Sequence, residues 1–321
     1  MLEIKNLKKH FDVAGGKLHA VDDISLRIEE GKTLGIVGES GCGKSTLGRV
    51  ILRLHEPTSG QILFDGMDIT SFDKEEMRQM RKYMQIIFQD PYASLNPRFT
   101  IAQIIEEPLK LHKVYKTAEE RKIRVEELMD LVGLSKRLYN SYPHELDGGR
   151  RQRIVIARAL AINPKFVICD EPVSALDVSV QAQILNLMME LQEKLGLTYV
   201  FISHDLSVVK HISDDVGVMY LGQLIEKAPK EAIFKKPLHP YTIALLSAIP
   251  SINIKEKKEK IILKGEISSP INPKPGCRFA KRCPFANDIC NSQTPNLEEI
   301  EKDRFIACHR SGEILAGTLK Y

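Results

Sequence analysis

The sequence predicts an α/β fold: buried strands that each lead through a loop into a helix, an antiparallel β edge, a mostly helical insert and a small cysteine-containing C-terminal extension. Three observations carry this. The apolar run Thr33 to Val37 stops at Gly38-Glu39-Ser40-Gly41-Cys42-Gly43-Lys44-Ser45-Thr46, and an apolar helical pattern begins near Leu47. A second run, Phe166-Val167-Ile168-Cys169, ends in Asp170-Glu171-Pro172. A third, Tyr199 to Ile202, leads to Ser203-His204-Asp205. Continuous apolar runs between helical patterns read as strands covered on both faces, the pattern of α/β proteins.

The first loop has the spacing Gly-x-x-x-x-Gly-Lys-Ser between a strand and a helix, the context of a phosphate-binding loop. Gly38 and Gly43 let the backbone bend so that successive N–H groups face an anion. The helix that follows points its positive end at the same place. Gly38, Ser40, Gly41, Cys42, Gly43, Lys44, Ser45 and Thr46 are therefore the candidate nucleotide-binding residues. Lys44 would reach the β- and γ-phosphates and Ser45 would ligate Mg²⁺. Cys42 enters through its backbone, although a helix N-terminus can also activate a thiol. The carboxylate pair suits a Mg²⁺ site, with Asp170 holding the metal and Glu171 polarising the attacking water as general base. Alone, Asp-Glu-Pro would be only a capped turn; the phosphate loop upstream favours the catalytic reading. Ser174-Ala175-Leu176-Asp177 follows. Then comes an amphipathic helix with Val180, Ile184, Leu187, Met188, Leu191 and Leu195 on one face and Gly196 as its stop.

Further segments carry a resemblance. Leu146-Asp147-Gly148-Gly149-Arg150-Arg151-Gln152 is similar to the signature loop of ATP-binding cassette proteins. Phe88-Gln89-Asp90-Pro91-Tyr92-Ala93-Ser94-Leu95-Asn96-Pro97-Arg98, Tyr142-Pro143-His144-Glu145-Leu146 and Leu238-His239-Pro240-Tyr241-Thr242 resemble the oligopeptide and dipeptide importer branch of that family. The resemblance covers nearly the whole chain. It implies a P-loop NTPase cassette with a RecA-like core, ATP and Mg²⁺ as ligands, and ATP hydrolysis that drives import of di- or oligopeptides. It also implies roles residue by residue. Gln89 would touch Mg²⁺ and the lytic water, and His204 the γ-phosphate. Ser174 and Asp177 would belong to the D-loop, and Asp147, Gly148, Gly149 and Arg150 would face the nucleotide of a partner subunit. Phe11 would stack on adenine, or else be a plain edge aromatic. The chain departs from the family at Asp147 and Arg150, where Ser and Gln are usual. An Asp opposes a polyphosphate unless a cation compensates, and Arg150 is one candidate. A tolerated substitution, with the Gly148 and Gly149 amides still binding phosphate, is another reading, and a weakened composite site a third.

The partners implied are a second ATPase, paralogous or identical, two integral membrane permease subunits and, indirectly, an extracellular substrate-binding protein. Glu56-Pro57-Thr58-Ser59-Gly60 and Tyr92-Ala93 resemble the second of two paralogous ATPases. The substrate stays open among peptide, nickel and some sugars. A soluble cassette acting on ribosomes or nucleic acid is the alternative. Against it stand the single cassette, the absence of a heptad run and a net charge of only +4 over 321 residues. No apolar run approaches the about 20 residues that cross a bilayer, and Met1-Leu2-Glu3-Ile4-Lys5 is not a signal peptide. A peripheral position on the cytoplasmic face of the membrane is therefore expected.

Residues 1–250 are expected to form the cassette, with short edge strands at Leu2-Glu3-Ile4, Asp23 to Ile28 and Gln61 to Phe64 and a helical subdomain at about 90–160. In that subdomain Thr117-Ala118-Glu119-Glu120 is a capping box. Ile123, Leu128, Leu131 and Val132 form the expected apolar face, and the signature helix is expected from Ile154 to Ile162. Residues 251–265 read as a charged connector and 266–321 as a C-terminal module. Four of the six cysteines fall there, Cys277, Cys283, Cys290 and Cys308, spaced C-x5-C-x6-C-x17-C. The segment lacks the periodicity of its own core and so calls for a staple. A reducing compartment disfavours disulfides. Four thiolates suit Zn²⁺ or an iron–sulfur cluster, and the loops are wider than zinc knuckles. The importer branch is compatible with a 4Fe-4S cluster; Zn²⁺ and unliganded thiols remain alternatives, with His309 as a lesser ligand candidate.

Overall fold

A computed structural model describes residues 1–249, 261–265 and 268–319. It divides into two compact units: Met1–Ile28, Thr33–Thr70 and Ser203–Tyr321 form the first, Glu29–Lys32 and Ser71–Ile202 the second. The charged run Lys255 to Lys260 lies outside the described residues, as does most of the expected connector.

The first unit opens with a long hairpin of β1 (Leu2–Val13) and β2 (Gly16–Ile28), each more than twice the length expected from sequence. Register shifts near Leu7 and Lys9 break the period-2 alternation, so only the inner ends read as strand. β3 (Thr33–Val37) is wholly buried and feeds through the glycine loop into α1 (Lys44–Ile51). β4 (Ser59–Phe64) and β5 (Met67–Asp68) complete an antiparallel sheet ordered β2-β1-β4-β5, the predicted edge.

The second unit begins with α2 (Lys74–Met80), capped by Asp73 with Glu76 reaching back in a capping box. β6 (Met84–Ile87), α3 (Pro91–Ser94), α4 (Ile101–Leu111), α5 (Ala118–Leu131), α6 (Gly148–Leu160), β7 (Phe166–Asp170), α7 (Val178–Leu195) and β8 (Thr198–Ile202) follow. β6, β7 and β8 pair in parallel, and β7 and β8 are buried along their whole length. The Thr117 capping box forms as expected. The apolar face of α5 differs from expectation: Val125, Leu128, Met129 and Val132 are buried, whereas Ile123 is 52 % exposed. Residues 125, 128, 129 and 132 make the tighter 3.6-residue stripe. On α7 the inner face holds Ile184, Leu187, Met188 and Leu191 as expected, but Leu195 lies outside it at the exposed C-terminal turn.

The chain returns to the first unit with α8 (Leu206–Ile212), β9 (Asp215–Tyr220), β10 (Gln223–Pro229), α9 (Lys230–Lys235) and α10 (Pro240–Ser247). β9 runs parallel to β3. The tail adds α11 (Asp288–Ser292), β11 (Glu298–Glu301), β12 (Arg304–Ile306) and α12 (Ser311–Leu315). It does not stand as a separate module. β12 pairs antiparallel with β10, and Ile306 and Ile314 share an apolar cluster with Leu238. Arg304 lies against buried Glu226, whose carboxylate accepts the Leu238 and His239 N–H groups at 2.9 Å each. The Leu-His-Pro-Tyr-Thr motif is thus the capped start of α10, with a tail arginine beside its cap.

His239 caps the same helix from within: its Nδ1 accepts the Tyr241 N–H at 3.1 Å. Burial pushes its imidazole down from 6.5 to about 3. Between those values the unfolded chain takes up a proton at this site that the folded chain refuses, so this contribution to stability is complete above pH 6.5 and declines as pH falls toward 3. His239→Asn keeps a capping side chain and removes the titration. Urea midpoints measured across this range should therefore fall less steeply with acid in the variant than in the unaltered protein.

Candidate nucleotide-binding site

The phosphate loop is shaped by close backbone approach. Gly38 has φ +154°, and a Cβ there would meet the Met219 carbonyl at 2.2 Å; at Gly43, φ +106°, it would meet the Ala20 carbonyl at 2.0 Å. No side chain fits either position, which is why the spacing of these glycines is so informative. Lys44 is 5 % exposed, and its ammonium donates to the Gly38 carbonyl at 2.8 Å and the Glu39 carbonyl at 3.0 Å. Those contacts curl the loop around its own lysine, while Ser40 and Gly41 stay exposed and Ser45 and Thr46 half-buried at the start of α1. The Cys42 thiol is buried and pushed up chiefly by that burial, so the residue serves through its backbone: its carbonyl accepts the Gly222 N–H at 2.8 Å. In the same unit His204 is exposed just before α8. Phe11 is half-buried, edge-on to His55 at 5.5 Å with the Lys9 ammonium 4.8 Å from its centroid.

In the second unit, Asp170 ends β7 and is 3 % exposed. Glu171 turns out of the strand with φ +50°, a left-handed conformation that a residue with a Cβ rarely adopts and that concentrates at functional positions. Its N–H donates to the Ile202 carbonyl at 3.0 Å, and its carbonyl accepts the Ser174 hydroxyl at 3.1 Å. Gln89 donates through Nε2 to the Glu171 carboxylate at 3.1 Å. Two predicted catalytic residues 82 positions apart are thereby brought together. Asp177 is exposed at the start of α7, and Gln181 ties the preceding turn by donating to the Val173 and Leu176 carbonyls at 2.9 and 3.0 Å.

The signature helix starts earlier than expected. Asp147 is the N-cap of α6, accepting the Arg150 N–H at 2.8 Å, so the segment is the helix's first turn rather than a loop ahead of it. Asp is among the best N-caps, which gives this residue a local structural role independent of any phosphate. Arg150 Nε lies 3.5 Å from the Asp147 carboxylate. Both are solvent-exposed, so the pairing is worth little in water but places a cation beside the carboxylate. Gly148 and Gly149 pack under Leu176 and Val180, where an added Cβ would stand 3.0 and 2.7 Å from them.

Sequence reasoning did not find Arg151. It is 5 % exposed, donates to the Pro143 and His144 carbonyls at 2.6 and 3.3 Å, and lies 3.7 Å from the Tyr92 ring centroid. Arg158 donates to the Ser94 carbonyl at 2.5 Å. Together they fasten the Tyr92 stretch to the signature helix. Their basic character alone gave no signal, because arginine on a helix is usually a solvated face.

The tail thiols are all free. Cys277 is pushed up to about 11 and Cys308 to about 12, first by burial and then by the neighbouring cysteines; Cys308 feels all three others. Among the described residues, the three-residue group with ligand atoms within 4.8 Å of one another is His10, His19 and Asp22, not any three of these sulfurs. The two imidazoles stack at 3.7 Å and reach the Asp22 carboxylate at 3.2 and 3.1 Å. Burial raises that carboxyl, but the His19 bond and the Arg278 charge outweigh it and hold it low. With a guanidinium already on Asp22, the group is a brace between the hairpin and the tail rather than a cation site.

A glycine loop closed around a lysine, together with an acidic pair ending a buried strand, defines a phosphate-loop nucleoside triphosphatase. The chain belongs to the ABC transporter family, whose pattern matches residues 21–174; the oligopeptide/dipeptide transporter C-terminal region matches residues 225–290. The oligopeptide transport ATP-binding protein AppF of Bacillus subtilis is 54 % identical over 319 residues, covering 96 % of this chain and 97 % of that protein. The dipeptide transport ATP-binding protein DppF of Haemophilus influenzae is 51 % identical, covering 96 % of each. Among solved structures, the dimeric post-hydrolysis form of the cassette MJ0796 bound to ADP and Pi is similar with a TM-score of 0.65 and 31 % identity, over 72 % of this chain and 99 % of that one. The chain is accordingly an ATPase of the transporter class. No described helix is long and apolar enough to cross a membrane.

Proposed function

We propose that the chain is the ATP-hydrolysing subunit of an importer of di- and oligopeptides, attached to the cytoplasmic face of the membrane through permease subunits. The observation that carries this is end-to-end likeness, including the tail, to proteins named for oligopeptide and dipeptide transport. It disfavours the ribosome- or nucleic-acid-directed alternative. Two ATPase subunits, this chain with a paralogue or with a second copy, would enclose two ATPs. Each site would combine one subunit's phosphate loop with the other's signature turn.

In this reading the amides from Gly41 to Thr46 and the Lys44 ammonium bind the β- and γ-phosphates, and Phe11 faces the adenine. Ser45, Gln89 and Asp170 would hold Mg²⁺. Glu171, set in its strained turn and hydrogen-bonded to Gln89, takes the proton of the attacking water. His204 contacts the γ-phosphate, and Ser174 and Asp177 face the partner. At the partner's nucleotide the Gly148 and Gly149 amides meet phosphate at the positive start of α6, with Arg150 offsetting Asp147. Closure on ATP and reopening after hydrolysis would then shift the permease between its two faces.

For the tail we propose a 4Fe-4S cluster held by Cys277, Cys283, Cys290 and Cys308. Four cysteines outside any disulfide, spaced more widely than a zinc knuckle, suit a larger group. Such a group would supply a cross-link for a segment whose apolar cluster is small.

Glu171→Gln keeps the phosphate contacts and removes the base. In the complex reconstituted with its permease, turnover should fall by roughly 10²–10⁴-fold while ATP-bound ATPase dimers accumulate. Unchanged turnover would remove Glu171 from this role, and failure to recover any integral membrane partner would remove the transport reading. Protein purified without oxygen should contain iron and acid-labile sulfide in equal amounts; zinc without sulfide would replace the cluster with a single metal.

A further inference from the structure

Two tail arginines, each next to a cysteine, reach the phosphate loop. Arg282 precedes Cys283, and its guanidinium grips the Glu39 carboxylate with both arms, at 2.9 and 3.1 Å. One arm also lies 3.4 Å from the Tyr220 hydroxyl. Arg278 follows Cys277 and donates to the Leu221 carbonyl and to Asp22. The next residue, Gly222, donates to the Cys42 carbonyl at 2.8 Å. The tail therefore touches the loop directly at its second residue and, through Leu221 and Gly222, at its fifth.

Glu39 is an awkward residue for its place. It lies in a loop that binds a polyphosphate, and its side chain is only 26 % exposed. An unpaired carboxylate there would oppose the incoming anion through a medium that screens poorly. Its backbone is also committed, the N–H donating to the Tyr241 hydroxyl at 2.9 Å and the carbonyl accepting from Lys44 at 3.0 Å. Tyr241 packs against Tyr220 and Phe279, with centroids 4.7 and 5.5 Å away. Phe279 belongs to the tail segment between the two arginines. Arg282 is 10 % exposed, and a two-armed guanidinium–carboxylate pair fixes orientation as well as charge.

We infer that Arg282 is a positioning residue of the ATP site: it neutralises Glu39 and holds it turned away from the phosphates, so the C-terminal tail completes the phosphate loop. This rests on the reading that the loop binds ATP, and a full-length unaltered chain that bound no ATP would sink that reading rather than this one. The ligand of this residue is Glu39, not the nucleotide, and its effect passes to ATP through charge.

The test is ATP affinity of the full-length chain, measured by calorimetric titration in the presence of EDTA at low and high salt, for Arg282→Ala, Arg282→Lys, Glu39→Gln and the double variant Arg282→Ala/Glu39→Gln. Arg282→Ala should weaken ATP binding about tenfold, a factor worth about 1.4 kcal/mol, with most of the loss persisting at high salt because the carboxylate is largely buried. Arg282→Lys should recover part of it, because a single ammonium keeps the charge without the two-armed grip. The double variant should bind ATP more tightly than Arg282→Ala, since Glu39→Gln removes the charge that was left uncompensated. A tail that only supports folding would give equal losses in Arg282→Ala and the double variant, and that result would overturn the inference. So would an Arg282→Ala protein that binds ATP as the unaltered chain does.

Discussion

The structure depends on one constraint: the phosphate loop is packed backbone against backbone. The Met219 carbonyl stands where a Cβ of Gly38 would be, and the Ala20 carbonyl where a Cβ of Gly43 would be. Those carbonyls come from the end of β9 and from β2, the antiparallel edge. The loop is therefore fixed by two strands of the first unit that belong to separate sheets, and the buried Lys44 closes it by bonding to its carbonyls. A loop held this way presents its amides at little further cost in ordering, which is what an anion site needs.

The same logic explains why the tail is built into the first unit. By itself it has little to bury. β12 extends the sheet at β10, Ile306 and Ile314 share the cluster of Leu238, and Arg304 lies beside the carboxylate that caps α10. Its other face is polar: Pro270 accepts the His19 N–H at 3.0 Å, and Asn272 bonds to Gly15 and Lys17 at the far end of the hairpin. The cysteines lie between these attachments, so whatever they hold closes a segment that is already tied at both ends.

Much of the site was legible in the sequence because its chemistry is local. The glycine spacing with Lys44 and Ser45, and the carboxylate pair at the end of an apolar run, are contiguous strings whose geometry follows from their order. What was not legible is non-local. Arg282 and Glu39 meet across 243 positions, and Gln89 and Glu171, placed on one water only by the family resemblance, meet across 82. Neither distance leaves a mark in a local pattern. The hairpin's outer half was hidden by its register shifts, and β11 and β12 by their brevity and charge: Glu-Glu-Ile-Glu gives no alternation to read. On α5, Ile123 was attractive as an apolar residue, but Val125 and Met129 complete the stripe that packs. Asp147 looked like a defect in a phosphate-contacting turn, whereas the structure also gives it the capping of α6.

In the proposed role, ATP bound and split at these residues does mechanical work on a peptide carrier. The most direct measurement is uptake of a labelled oligopeptide into proteoliposomes that hold the full complex, with ATP supplied on the side of the ATPase subunits. Uptake should require ATP, rise with added substrate-binding protein and keep a fixed ratio to phosphate released. Hydrolysis that proceeds at the same rate with and without peptide, and with no uptake, would contradict that role.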